Sequence, residues 1–286
     1  MLIEATPDSA EVGLSAGHAL ASMVMGLGGI ALARYLVVRH LRPRVQLESP
    51  PPRSLPWKPL HLPLLFLVFL MGSALVGFAL KAIYGDVDME NLGVVPILAS
   101  TIVVNLILVA GVWTLGVNLG AKRDAYGMSE WPSFSHMKSG VLMFLACLPG
   151  VYGSSLLWIG SLSLAGVHVE PQDVAQLVGT AEGYERWIVL VFASILVPIL
   201  EEFLFRGFLQ TWLVQSQGVV TGILVTSFLF AMLHGATAFG GLLAFSLAAG
   251  LIRHWTGSLW PAVWVHMCNN GIMSIALFMG TGPVGS

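Results

Sequence analysis

The stretch ILVPILEEFLFRGFLQTW, residues 195–212, places two adjacent carboxylates and an arginine inside a run otherwise suited to lipid or a protein core. Read as a helix, it carries Glu201, Glu202 and Arg206 near its middle. Each charge at a bilayer centre costs about 2.5–3.5 kcal/mol on insertion-based scales, so the segment needs partners that offset that cost. Glu202 and Arg206 stand four residues apart, share a face and can satisfy one another as an ion pair with the acid on the N-terminal side. Glu201 is turned about 100° from its neighbour and has no equivalent partner in its own helix. Pro198 displaces the hydrogen bond to the carbonyl of Ser194, which predicts a kink just ahead of the acids.

The rest of the chain sets the context for those charges. Hydrophobic residues make up 56% of it and charged ones 10%, against roughly 25% charged in soluble domains, so the chain reads as an integral membrane protein. Its apolar residues come in long blocks without strict alternation, which points to spanning helices and away from barrel strands. A net charge of −2 gives no sign of a nucleic-acid partner. The first apolar block follows an acidic segment and lacks the basic flank of a cleavable signal, so it is expected to remain as a helix. Cys147 and Cys268 fall inside apolar blocks and read as small packing residues.

At about 20 apolar residues per span, helices are predicted near 16–38, 62–83, 93–119, 139–166, 187–215, 218–235, 237–253 and 258–279. The expected fold is all-α: a polytopic membrane protein in which about eight transmembrane helices enclose an intramembrane polar cavity. Residues 1–166 hold about four helices and a basic, Pro-rich loop, residues 167–286 hold the helices that carry chemistry, and together they form one structural domain. Arg39, Arg42, Arg44, Arg53 and Lys58, then Lys122, Arg123 and Lys138, then Arg253, place three connections on the cytoplasmic side. The N-terminal tail and the acidic connections near 86–90 and 170–185 belong outside, as do both termini. The segment VHVEPQDVAQLVGTAEGYER is too polar to span and reads as a connector or interfacial piece.

Two further polar sites interrupt apolar helices. SFLFAMLHG places Phe230 and His234 four residues apart, and WPAVWVHMCNNG places His266 and Asn270 on a common face. Glu201 and His234 lie about 16 and 17 residues from the turn near 215–218, hence at one level roughly 24 Å from it. His266 and Asn270 lie about 10 and 14 residues beyond the turn near 256–257, on the order of 15–20 Å deep, somewhat below that pair. A carboxylate beside an imidazole can hold a water and take its proton, while a second imidazole and an amide can donate to the oxygen that becomes negative as a carbonyl is attacked. Those are the parts of a peptide hydrolase. The same Glu and His could instead serve as the relay of a proton-coupled transporter or channel.

EEFLFRG, FAMLH and HMCNN also resemble the E-E-x-x-x-R, F-x-x-x-H and H-x-x-x-N signatures of the CAAX protease and bacteriocin-processing family of intramembrane proteases, which includes the type II CAAX prenyl endopeptidases. The three occur in the family's order. The resemblance implies that Glu201 and His234 activate water, that His266 and Asn270 stabilise the oxyanion, and that Glu202 and Arg206 support them. It implies a membrane-associated protein or peptide substrate, prenylated or bacteriocin-like, and a multi-pass protein of the plasma (inner) membrane if the source is prokaryotic. Oligomeric state stays open. Zinc on Glu201, His234 and His266 is conceivable, yet a metal-free glutamate mechanism without cofactor fits the resemblance better.

Overall fold

In the computed structural model, residues 16–42, 55–85, 92–167 and 181–279 are described, and the connections expected to carry Arg44, Arg53, residues 86–90 and most of 167–180 lie outside them. Every long element is helical. Helix α1 (Ala16–Tyr35) continues into a π-helical stretch, Leu36–Leu41. Next come α2 (His61–Tyr84), α3 (Val94–Asn118), a 3₁₀ turn (Arg123–Tyr126) and α4 (Phe134–Leu164). The chain then forms α5 (Tyr184–Gln217), α6 (Val219–Leu233), α7 (Phe239–Thr256) and α8 (Trp260–Phe278).

These eight rods match the eight predicted blocks to within a few residues. Five of them, α1 to α5, are long and apolar enough to cross a membrane. The other three fall short of that measure, α6 having only 15 residues. Helix α4 starts at Phe134, about a turn before the apolar block suggests, because Ser133 caps it: its Oγ accepts from the His136 amide while the Ser133 amide donates to His136 Nδ1.

Helices approach closely where side chains are small, as expected when packing takes place in lipid. A Cβ at Gly153 of α4 would sit 2.5 Å from the Gly26 carbonyl oxygen of α1, and one at Gly140 would sit 2.6 Å from the Pro261 carbonyl oxygen of α8. The large residues left outside, Leu67, Phe78, Val24 and Leu75 among them, are apolar, so the outer surface suits acyl chains and not water.

The connections sort into two ends. At one, Leu55 N donates to Gln215 Oε1, Trp212 Nε1 to Trp57 O, Leu259 N to Gly127 O and Trp260 Nε1 to Glu130 O. At the other, Val94, Ala181 and Val189 form a small core with Leu277 and Phe278. The polar residues of interest lie between these ends on α5 to α8, of which α7 and α8 pack against α4.

Candidate active site

Helix α5 positions both acids. It runs for 34 residues without a break but not as a uniform α-helix: π segments at Phe192–Leu196 and Phe203–Gln210 flank the α-helical Val197–Glu202. The predicted disturbance before the acids is present, absorbed as the π turn that precedes Pro198. In the second π segment the Arg206 carbonyl accepts from Thr211 Oγ1 at 3.1 Å, a side-chain bond of the kind that accompanies local widening of a helix.

Glu202 and Arg206 are both fully buried. Arg206 Nη1 donates to Glu202 Oε1 at 2.7 Å, its Nη2 donates to Ser246 Oγ at 2.7 Å and to the Ser246 carbonyl at 3.2 Å, and its guanidinium carbon lies 4.7 Å from the Phe230 ring centre. The pair is more than self-contained glue. Glu202 Oε1 also accepts from His266 Nδ1 at 2.9 Å, so one carboxylate oxygen serves a guanidinium and an imidazole together. Because an ionised carboxylate only accepts, the proton of that bond sits on His266 Nδ1 and its Nε2 faces away from Glu202.

Glu201 turns to the other side of the helix and meets both histidines. Its Oε2 lies 3.8 Å from His234 Nε2 and 3.8 Å from His266 Nε2. His234 caps α6, and its Nδ1 donates to the Phe230 carbonyl at 2.7 Å, which fixes the ring and leaves Nε2 as the atom offered to Glu201. The Phe230 ring centre is 4.4 Å from that of His234 and 5.7 Å from that of His266. One phenyl ring therefore backs both imidazoles as well as Arg206.

The structure thus brings Glu201, Glu202, Arg206, His234 and His266 into one cluster. His266 reaches Glu201 directly, its Nε2 lying 3.8 Å from Glu201 Oε2, and the turn that leads into α8 is fixed by the bond from Leu259 N to Gly127 O. Asn270, one turn further along α8, is placed differently. Its Nδ2 donates to the Ala193 carbonyl at 3.1 Å and its Oδ1 accepts from Asn269 at 3.3 Å, so its amide is anchored to α5 two turns ahead of Glu201. Phe230 and Ser246 were not assigned a role from sequence. Phe230 stands at the first position of the FAMLH motif; Ser246 carries no local signal.

A gap of 3.8 Å is too long for a direct hydrogen bond, but a water bonded at about 2.8 Å to both of its ends subtends about 85°. Tetrahedral zinc, with bonds of about 2.0–2.1 Å, would hold its ligand atoms about 3.3–3.4 Å apart. The observed 3.8 Å lies between the spacing that tetrahedral zinc would set and the roughly 4.5 Å set by a water bonded at tetrahedral angles. Among the described residues no group of three or more His, Cys, Asp or Glu is arranged to hold a metal. Cys147 and Cys268 are free thiols.

A helical, apolar chain with a carboxylate and two imidazoles converging in its interior is a membrane protein with a polar cluster on its central helices. Residues 183–272 match the family model described as type II CAAX prenyl endopeptidase Rce1-like. That stretch contains all three motifs and every residue of the cluster, so the resemblance carried by the motifs holds for this region, while the first 182 residues lie outside it. No curated protein and no solved structure matches the chain.

Proposed function

We propose that the chain is an intramembrane endopeptidase that hydrolyses a peptide bond in a membrane-associated protein or peptide, with Glu201 and His234 activating water. The observation that carries this reading is the placement of Glu201 Oε2 at 3.8 Å from two imidazole nitrogens, each fixed by its own Nδ1 bond. A water held there loses its proton to Glu201 as its oxygen attacks the peptide carbonyl carbon. The proton then passes to the amide nitrogen as the C–N bond breaks, which returns the carboxylate to its starting state.

His266 has a different task because of its neighbour. The Glu202 carboxylate on Nδ1 fixes the ring with Nε2 turned toward the site, where an Nε2–H would donate to the oxygen that becomes negative. Asn270 acts beside it, since one Nδ2 hydrogen is committed to Ala193 and the amide keeps a second. Arg206, Ser246 and Phe230 hold Glu202 and both rings in place. No step in this scheme requires a metal or cofactor.

Quantitative proteomics of membranes from cells carrying the natural protein or Glu201→Gln tests the proposal. A precursor that accumulates with Glu201→Gln, and again with His234→Ala, is the expected result. Equal peptide profiles combined with a pH-driven flux lost in the same two variants would instead mark the cluster as a proton relay.

A further inference from the structure

The π turn ahead of the acids decides which backbone carbonyl Pro198 leaves open. Val197 N donates to the Phe192 carbonyl, five residues back, which is the register of the π segment Phe192–Leu196. The next bond in that register runs from residue 198 to the Ala193 carbonyl, and proline has no N–H to make it. An α-helical reading of the sequence opens the Ser194 carbonyl instead; the wider turn shifts the interruption one residue back. That shift has a partner on another helix, for the Ala193 carbonyl is the acceptor that Asn270 Nδ2 reaches from α8, at 3.1 Å. A backbone carbonyl at membrane depth needs a donor from within the protein, and here a side chain supplies it.

The same bond fixes which way the Asn270 amide points. A carbonyl only accepts, so the end that faces Ala193 is the NH2, and Oδ1 accepts from Asn269 Nδ2 at 3.3 Å. With both ends engaged, the second Nδ2 hydrogen has one direction. Any other residue at 198 brings back an N–H, and either register then puts a backbone donor on the Ala193 oxygen: residue 197 in an α turn, residue 198 in a π turn. Asn270 is no longer needed to satisfy that oxygen, and its hold weakens.

We infer that Pro198 is a positioning residue for Asn270. By withholding one amide from the π turn it reserves the Ala193 carbonyl as an anchor on α5, and the anchored amide aims its remaining hydrogen at the oxygen that becomes negative. The catalytic half rests on the endopeptidase reading, whereas the anchor does not.

A double-mutant cycle on the purified protein tests the anchor without reference to activity. Asn270→Ala alone orphans the Ala193 carbonyl and should lower the unfolding midpoint by about 2–4 °C. With Pro198→Ala also present, the restored amide takes the carbonyl, and Asn270→Ala should lower the midpoint by less than about 1 °C. Pro198→Leu and Asn270→Leu replace the alanine variants if either fails to accumulate. Additive shifts overturn the inference. In membranes, the precursor that builds up with Glu201→Gln reads the catalytic half. Pro198→Ala should raise the midpoint, since a proline leaves a helix interior, and still raise the precursor-to-product ratio by about threefold or more. A proline with a merely structural role moves the two readouts together. Coupled midpoints with processing that Asn270→Ala leaves intact overturn the catalytic half alone, and no precursor with Glu201→Gln either overturns the endopeptidase reading while the anchor stands.

Discussion

Glu202 Oε1 receives His266 Nδ1 at 2.9 Å and Arg206 Nη1 at 2.7 Å, from a side chain with no exposure. One buried oxygen therefore ties α5 to α8 and balances a guanidinium whose other arm reaches α7 through Ser246. Removing one member of a buried ion pair costs about 3–5 kcal/mol, since the partner is left charged and unpaired. Glu202→Ala is expected to lower stability in detergent by about that amount. Thermal unfolding of the purified protein reads it, and a loss below about 1 kcal/mol would show that water replaces the carboxylate without penalty.

Ser246 completes the same network from α7. Its hydroxyl accepts from Arg206 at 2.7 Å, and a hydrogen bond to a charged group contributes about 1.5–3 kcal/mol. Ser246→Ala should fall in that range while Ser246→Thr should not, provided the added methyl is tolerated. Unfolding midpoints of the two variants side by side decide it.

Much of this cluster was legible before any coordinates, and the exceptions have physical causes. Glu201 and His234 meet because they lie equally far from one tight turn, a count that sequence supplies. A residue count from the Gly257 turn gives the depth of His266 but not its direction, and its direct approach to both Glu201 and Glu202 is a contact between helices that no local pattern encodes. Arg253 reads as a charge of a cytoplasmic loop, yet it is 5% exposed within α7 and its Nη2 donates to Thr211 Oγ1 at 3.3 Å. Glycine at 127 permits this: a Cβ there would come within 2.6 Å of the guanidinium carbon. Nothing in the local pattern around Ser246 or Phe230 reveals which charge or ring each will touch, since those contacts join segments far apart in the chain.

Phe230 backs two imidazoles and a guanidinium from one fully buried position. A cation over an aromatic face contributes about 0.5–1 kcal/mol at exposed sites and about 2 kcal/mol or more when desolvated. Phe230→Leu keeps an apolar residue but removes the ring, so it should destabilise by about 1–2 kcal/mol. It should also lower processing more than that loss explains, because both histidines lose their backing. Precursor accumulation compared with the amount of folded protein separates the two effects.

The α1–α4 contact offers a test away from the chemistry. Gly153 faces the Gly26 carbonyl so closely that a Cβ would sit 2.5 Å from its oxygen, and backbone on both sides cannot yield as a flexible side chain would. Gly153→Val should therefore push α1 off α4 and destabilise by about 1–3 kcal/mol, the usual cost of overpacking. Proteolytic sensitivity of the connection after α1 would report the separation, and unchanged resistance would mean that the helices shift without loss.

Glu201 is where the chemical reading is most exposed to test. It accepts no hydrogen bond from the described residues and is outside the Glu202–Arg206 pair, so Glu201→Gln should leave the folded protein in the membrane at near-normal amounts. Loss of a positioned acid–base group lowers rates by about 10²–10⁴-fold, and precursor accumulation should approach that of a deletion. Metal removal separates the two ways such a loss could arise. If Glu201 takes the proton of a water shared with two imidazoles, exhaustive chelation leaves cleavage unchanged; if Glu201 is instead a ligand, chelation silences the protein and added zinc restores it. The glutamate mechanism proposed above expects the first outcome, and cleavage by purified protein before and after chelation measures it.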